Sequence, residues 1–477
     1  MPPFDRRETG ADRATPGDGA PGAVDGGLLL KRRLLSGGTW AFSGRMATVL
    51  GGFVTNALLA RLLSPQELGT YFLALSLVTL GAVTGSLGLN HAGVRFLAAG
   101  IGLGRSGQAR GTVRAVLSVG LLGALGIGLT YVLLGGLVGG LFAAPALAAV
   151  SGLMAGWAVV ATIQGLLADL FRGLHDIRSA TFFGALTTGN GLMPAGLLIA
   201  CLALLWTTRG ETDLVTVMAL SAGSGLASAL TAGWYLRRKV ASISAREDAD
   251  RVGAREILRV AWPLLLTNMT LFTLAQADVW VVGAFRGQED VAVYGAAARL
   301  VALVAVPLLV FNAFVPPMVA EMHAQGKRTE LERMLRSTAT LGGVPSFLAF
   351  AVFASAGGPL LRLLFGDYYG AGAPVLAVLS VGQFARVWCG SCSTALMMTG
   401  HQRTVMVVTV LSGLLAVTVA LAAVGRYGIL GVAAATSLGN ALQSILSWLM
   451  VRRTTGMWTH MSLTRFFGLF REARASQ

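Results

Sequence analysis

The sequence predicts an all-α membrane protein with about twelve transmembrane helices, arranged as two six-helix repeats. Of its 477 residues, 54% are hydrophobic and only 12% are charged, and its mean hydropathy is +0.68. These values lie far outside the range of soluble domains. The apolar runs are continuous and about 20 residues or longer, as a helix needs to cross ~30 Å of hydrocarbon, whereas the strands of a membrane β-barrel are shorter and alternate in polarity.

The apolar runs define the predicted spans, with ends accurate to a few residues. They cover residues 38–60, 70–89, 113–141, 146–168, 180–206, 214–236, 260–284, 291–319, 338–361, 371–398, 404–424 and 428–451. The segment Met461–Phe470 is too short and too basic for a further span, so it is predicted to lie on the membrane surface as an amphipathic segment.

An internal repeat supports the division into halves. Moving along the chain by 223 positions places ARLLSPQELGTYFLA (60–74) on GAFRGQEDVAVYGAA (283–297), so that Tyr71 meets Tyr294. The same displacement places GGLVGGLF on GPLLRLLF and matches their final phenylalanines. A register kept without a gap over about eighty residues indicates a tandem duplication. Because each half has an even number of helices, both halves are expected to enter the membrane in the same sense.

The repeat and the charged segments together predict five parts of the chain. The tail before the first helix is rich in Pro, Gly, Asp and Arg and has too few large apolar side chains to fold. The parts are a disordered cytoplasmic tail (1–33), an N-terminal bundle (34–236), a cytoplasmic linker expected to form an amphipathic helix (237–259), a C-terminal bundle (260–453) and a cytoplasmic tail (454–477).

The net charge of +15 is explained by the predicted topology. Most of the 37 Lys and Arg residues lie in segments on one side of the membrane, and the opposite loops hold five arginines: Arg61, Arg209, Arg286, Arg362 and Arg426. This asymmetry predicts that both termini are cytoplasmic. The expected partners of the basic face are anionic lipid headgroups rather than nucleic acid.

Several motifs, in order, resemble those of a known family. They are LLARLLSPQELGTYFLALSLV (58–78), GLNHAGVRFLAAG (88–100), FRGLHDIRSA (171–180), ADVWVVGAF (277–285) and MMTGHQRT (397–404). Their order and the twelve-helix frame resemble the polysaccharide exporters and O-antigen-type flippases of the multidrug/oligosaccharidyl-lipid/polysaccharide (MOP) superfamily. The resemblance covers about residues 31–453.

This resemblance implies two bundles like those of multidrug (MATE) transporters around a central cavity, lined chiefly by helices 1, 2, 7 and 8. The cavity would open alternately to each side of a bacterial cytoplasmic membrane. The implied cargo is a lipid-linked oligosaccharide, typically on undecaprenyl diphosphate, or a related polysaccharide intermediate, and transport would be driven by an ion gradient, as in an antiporter. Polysaccharide-synthesis proteins are possible partners.

Buried arginines are the first candidate site residues, because ionisable groups inside spans are costly and usually face a cavity or a partner. Arg45 and Asn56 are three helical turns apart on one face of the first helix, and Arg299 and Arg386 lie in later spans. We expect the arginines to give the cavity a positive field that suits a diphosphate or acidic sugars. The alternative is that they extend to the membrane interfaces or act as structural locks.

Asp278 is the candidate for ion coupling, since a carboxylate in a low dielectric can change its protonation between two states. A static salt bridge with a neighbouring arginine is the alternative. The amides of Asn268 and Asn312 are suited to sugar hydroxyls, and equally to hydrogen bonds between helices. Cys389 and Cys392 form a Cys-x-x-Cys within an apolar helix, and we interpret them as buried small residues rather than as a metal site.

Other functions are less consistent with the sequence. It contains no phosphate-binding Gly-x-x-x-x-Gly-Lys-Ser/Thr, catalytic triad or metal-ligand cluster, so we expect no enzyme activity, cofactor or metal. A multidrug cation extruder of the same superfamily would need an acidic cavity, whereas the buried arginines outnumber the deep carboxylates. A membrane polysaccharide polymerase or glycosyltransferase would need long external loops, and those predicted here are short.

Overall fold

The computed structural model describes residues 43–44, 46–185, 187, 191–208, 210–242, 253–312 and 315–462, without the side chains of residues 254 and 317, and over these residues it contains helices and no strands. The N-terminal bundle contains α1 (Met46–Leu62), α2 (Pro65–Gly85), α3 (Leu89–Gly102), α4 (Ser106–Leu141), α5 (Pro145–Ala149), α6 (Ser151–Gly173), α7 (Ile177–Phe182), α8 (Leu192–Thr208) and α9 (Leu214–Ala241). The C-terminal bundle contains α10 (Ala254–Phe285), α11 (Gln288–Phe311), α12 (Val315–Ala324), α13 (Arg328–Phe365), a 3₁₀ turn (Asp367–Gly372), α14 (Ala373–Cys389), α15 (Cys392–Met398) and α16 (Gln402–Thr455).

The last helix is a hairpin of two spans. α16 is interrupted at Gly428, whose φ of 60° and ψ of −143° reverse the chain direction. Consequently Gln443 donates a hydrogen bond to Thr409 at 2.9 Å, although the two lie on opposite sides of the break. A left-handed φ of this kind favours glycine, which has no Cβ to clash.

The prediction of about twelve spans is confirmed. Nine helical segments of the described chain are long and apolar enough to cross a membrane. Two shorter apolar helices, α1 and α8, are at the lower limit of the length that a transmembrane helix needs. Because one of the nine is the α16 hairpin, these segments account for twelve crossings.

The structure also confirms the repeat. α1 ends at Leu62 and α10 at Phe285, and α2 begins at Pro65 and α11 at Gln288, so both boundaries recur after 223 residues. The first boundary is fixed locally by a capping box, in which Ser64 accepts from the Glu67 amide and the Glu67 carboxylate accepts from the Ser64 amide.

The apolar core differs between the two ends of the molecule. At the end where α2 and α11 begin, one cluster joins both bundles and includes Phe72 of α2 and Tyr294 of α11. There Gly69 lies so close to the Gln288 carbonyl that no Cβ would fit. At the opposite end there are two separate clusters, one in the N-terminal bundle with the start of α10 and one in the C-terminal bundle. The bundles are therefore joined more completely at the first end.

Some predictions fall outside the described residues. These are the tail 1–33, Arg45, the linker between residues 243 and 252, and all but the first two residues of the predicted surface segment Met461–Phe470. The boundaries of the five predicted parts remain predictions.

Candidate functional site

Arg299 of α11 links the two bundles in the middle of the fold. Its Nε donates a hydrogen bond to Oδ1 of Asn56 in α1 at 2.5 Å, and its guanidinium lies over the Phe72 ring of α2, 4.0 Å from the ring centroid. Asn56 in turn donates from Nδ2 to the Gly52 carbonyl at 2.6 Å. That bond orients the amide so that its oxygen faces Arg299. The arginine is thus positioned by a neutral acceptor and an aromatic face, which leaves its positive charge without a carboxylate partner among the described residues.

Asp278 of α10 lies on the same side of the C-terminal bundle, but it does not pair with Arg299. Its Oδ2 accepts from the Tyr294 hydroxyl at 2.7 Å, and its Oδ1 accepts from the Val279 amide at 2.8 Å. The Tyr294 hydroxyl also lies 3.4 Å from Oγ1 of Thr436. Neutral donors therefore hold this carboxylate, and the predicted alternative, a salt bridge with a neighbouring arginine, is absent from the part of the chain that the structure describes.

Arg299 and Asp278 both line a cavity of about 460 Å³ inside the C-terminal bundle. Its remaining polar lining comes from α10, α14 and both arms of α16: Gln276, Gln383, Arg386, Thr409, Ser412, Thr436, Asn440 and Gln443. Arg386 is exposed, and buried oxygens of Gln383 and Ser412 have no hydrogen-bond partner within the protein. Since buried polar atoms are normally satisfied, these oxygens are available to a polar ligand.

The cavity continues toward the interface between the bundles. A neighbouring space of about 260 Å³ shares Gln276 and Arg299 and adds Phe72 and Ser76 of α2. On the other side of Arg299, Asn56 also lines a space of about 80 Å³ in the N-terminal bundle. Arg299 thus lies at the boundary between the polar cavity and the N-terminal bundle.

The predicted site residues fall into two groups. Arg299, Arg386 and Asp278 line one cavity, and Asn56 is joined to it through Arg299. Asn312 instead lies just after α11 and accepts from the Ser391 hydroxyl at 2.7 Å, which is a contact within the C-terminal bundle. Asn268 is half-buried on α10 and does not line any of these three spaces.

The prediction from sequence missed the neutral polar residues of the second arm of α16. Thr436, Asn440 and Gln443 recur at intervals of four and three residues, so they share one helix face, and all three line the cavity. Their spacing within an otherwise apolar helix is the signal that would have identified them.

Comparison with known proteins agrees with this architecture. The family model for polysaccharide biosynthesis proteins matches residues 34–323, which is more than half of the chain. The chain belongs to this family. A second family model, MatE, matches residues 263–422 of this polysaccharide biosynthesis protein. A search of curated proteins found no match.

Solved structures share the fold at low sequence identity. An inward-facing multidrug resistance MATE family transporter of the MOP superfamily aligns with a TM-score of 0.68 and 18% identity, over 87% of this chain and 97% of that one. The lipid II flippase MurJ in an inward closed conformation aligns with a TM-score of 0.68 and 14% identity, over 86% and 87% of the two chains. An outward-facing MATE family transporter aligns with a TM-score of 0.56 and 18% identity, over 87% and 94%. The family member described here therefore has the fold of the MOP transporters.

Proposed function

We propose that this protein moves a lipid-linked oligosaccharide or polysaccharide intermediate across the bacterial cytoplasmic membrane by alternating access, driven by an ion gradient. The observation that carries the proposal is the charge of the polar cavity in the C-terminal bundle. Arg299 and Arg386 contribute two guanidinium groups, whereas Asp278 is the one carboxylate among the described lining residues. A diphosphate would find a net positive site with planar donors that match its oxygens.

The neutral lining supports a glycan attached to that phosphate. Gln276, Gln383, Asn440 and Gln443 present amides, and Thr409 and Thr436 present hydroxyls. Amides and hydroxyls can each donate and accept hydrogen bonds, as sugar hydroxyls require. The lipid part of such a cargo would remain in the bilayer while its head occupies the cavity.

The asymmetry of the core supports alternating access. In the predicted topology, the end where α2 and α11 begin is extracytoplasmic, and it is closed by the apolar cluster that joins both bundles. The better alignment with the inward-facing transporter than with the outward-facing one agrees with a state closed on that side. Asp278, held by neutral donors beside the arginines, remains the candidate for coupling to an ion.

A multidrug cation extruder is the second candidate, favoured by the Asp278 carboxylate in the cavity and by the MatE match over the C-terminal half. The two functions differ in the charge of the cargo. Purified protein should be titrated with a short-chain polyprenyl-diphosphate N-acetylglucosamine and, separately, with the cationic dye rhodamine 6G, with binding measured by intrinsic tryptophan fluorescence.

We expect the diphosphate lipid to bind, and Arg299→Ala to weaken it by about tenfold or more, as expected for loss of a charge-assisted contact. A fluorescent form of the same lipid should then reach the opposite leaflet of proteoliposomes, where chemical quenching reports it. Binding of the dye with no binding of the diphosphate lipid would overturn the proposal in favour of cation extrusion. Arg333→Ala is the matched control, since Arg333 is exposed on α13 and does not line the cavity.

A further inference from the structure

A second concave region lies on the N-terminal bundle, away from the polar cavity of the C-terminal bundle. α4 and α9 each pack against α6 but scarcely contact one another, so a groove of about 1070 Å³ remains between them. Ile163 and Leu167 of α6 form its floor. This volume is slightly above the usual range for small-molecule sites, about 300–1,000 Å³.

One end of the groove is strongly cationic. Arg110 and Arg114 of α4 face Arg237 and Arg238 of α9, and no Asp or Glu occurs among the lining residues that the structure describes. Two of the arginines are held in place, since Arg238 lies 3.7 Å from the Trp234 ring centroid and Arg110 donates to the Ala241 carbonyl at 3.2 Å. Two of the four guanidinium groups at this end of the groove are thus held in place.

The neighbouring lysine does not belong to this set. Lys239 follows Arg238 directly but forms an ion pair with Asp176 on another side of α9, and it does not line the groove. The Asp176 carboxylate is therefore already engaged by Lys239.

The rest of the groove is apolar and open to the side. Val113 and Leu117 of α4 face Leu230 of α9, whose side chain is 66% exposed. The lining of α9 runs from Ala229 to Ala241. At 1.5 Å per residue this is about 18 Å, close to half of the ~30 Å hydrocarbon thickness. The groove therefore has roughly the length of one membrane leaflet.

We propose that this groove binds an anionic phospholipid of the cytoplasmic leaflet. Its phosphate lies among Arg114, Arg237 and Arg238, and one acyl chain runs over Ile163 and along Leu230. Basic pockets between transmembrane helices suit anionic headgroups, and each arginine near the surface contributes to the attraction. A zwitterionic lipid fits less well because its ammonium group would approach the same guanidinium groups. The site is on the outer wall of one bundle and does not depend on the nature of the cargo.

The test is a titration of the purified full-length protein, with retained lipids counted by native mass spectrometry. The probes are dioleoylphosphatidylglycerol, dioleoylphosphatidylcholine and soluble glycerol 3-phosphate. Of the three probes, we expect tight retention of phosphatidylglycerol only. Retention should be about twenty-five times weaker in the double variant Arg114→Ala/Arg237→Ala, since each arginine contributes about a factor of five. Leu230→Trp, which fills the apolar part from an exposed position, should also reduce retention while leaving every arginine in place.

The matched control is Arg333→Ala/Arg403→Ala, which removes two exposed charges from the same predicted face of the C-terminal bundle. Equal weakening in the control and in the groove variant would overturn the proposal, because it would indicate general attraction to a basic surface. Unchanged retention in Leu230→Trp would also overturn it, since the acyl chain would then not occupy the groove. Displacement of the lipid by glycerol 3-phosphate would assign the arginines to a soluble anion instead.

Discussion

Arg299 of the C-terminal bundle donates a hydrogen bond to Asn56 of the N-terminal bundle at 2.5 Å, at the edge of the polar cavity. The same guanidinium packs on Phe72 of the N-terminal bundle. One cation therefore both lines the cavity and contacts the opposite half of the molecule. These two roles, cargo contact and link between bundles, can be separated by mutation.

We expect Arg299→Ala to lower the initial rate of lipid-linked glycan transport by about a hundredfold, and Arg299→Lys by about tenfold, because lysine retains the charge but not the planar donors. Asn56→Ala removes only the link and should change the rate by less than about threefold, as for a neutral acceptor. Transport is measured with the fluorescent lipid in proteoliposomes. If Asn56→Ala is as severe as Arg299→Ala, the arginine acts as a lock between the bundles.

Tyr294 and Tyr71 occupy equivalent positions in the repeat but have different partners. Tyr294 donates to the Asp278 carboxylate, whereas the Tyr71 hydroxyl lies 3.3 Å from the neutral Ser221 hydroxyl. We expect Tyr294→Phe to shift the ion concentration that gives half-maximal transport by about tenfold, and Tyr71→Phe to shift it much less, since hydrogen bonds to charged groups are the stronger.

The measurement is the transport rate across series of pH and sodium concentration. Asp278→Asn should abolish the dependence on the coupling ion. Retention of that dependence in Asp278→Asn would place the coupling group elsewhere, and equal shifts in both tyrosine variants would point to a packing effect.

Gly69 should control how closely the bundles approach at the end where α2 and α11 begin. A Cβ at this position would meet the Gln288 carbonyl, which is backbone and cannot rotate away. Gly69→Ala should therefore separate the bundles there, and spin labels on Glu211→Cys and Asp367→Cys should report a longer distance by electron resonance. Gly223→Ala is the control, because its Cβ would meet open space. An unchanged distance in Gly69→Ala would show that the clash is relieved within one bundle.

The ion pair between Lys239 and Asp176 predicts a pH-dependent contribution to stability. Partial burial by itself would raise the pKa of Asp176, but hydrogen bonds from Lys239 and Ser179 outweigh it and hold the pKa below its usual value of 3.8. The stabilisation is thus present above that value and is lost as the pH falls through the lower pKa of the folded state.

Lys239→Met should lower the thermal unfolding temperature at pH 7 by an amount equivalent to about 1 kcal/mol or less, as for a partly exposed pair. The difference from the unmodified protein should shrink as the pH falls below 3.8 and through the lower pKa of Asp176 in the folded state, because the carboxylate is then protonated in both states. Arg333→Met serves as a charge-matched control. A difference that is equally large at both pH values would mean that Lys239 stabilises the protein by packing alone.

The predicted topology can be tested with two exposed positions, Glu211 after α8 and Gln325 after α12. In a background with Cys201, Cys389 and Cys392 replaced by alanine, a membrane-impermeant thiol reagent should label Glu211→Cys in intact cells and should label Gln325→Cys only after the membrane is opened. The reverse pattern would contradict the positive-inside assignment.

The sequence predicted the helices and the repeat because length, hydropathy and register are local properties. It also identified Arg299 and Asp278, because the cost of a charge inside a span makes it conspicuous. The sequence could not predict the hydrogen-bond partners of these two residues, since the partners depend on how α1, α10 and α11 are rotated about their axes. Asn440 and Gln443 were missed for a different reason. Neutral amide side chains often form hydrogen bonds between transmembrane helices, so their presence in a span does not by itself indicate a binding site.

The unequal cores at the two ends have an energetic consequence for a transport cycle. Separating the bundles where Phe72 and Tyr294 share one cluster would wet apolar surface, at a cost of about 25 cal/mol per Å². Bringing the bundles together again at this end recovers the same free energy. Closing this end is therefore favourable by itself, whereas opening it requires an energy source. Under the proposed function, the ion gradient would drive the step that exposes the cargo to the outside. In the absence of cargo and of an ion gradient, the protein would adopt the inward-facing state.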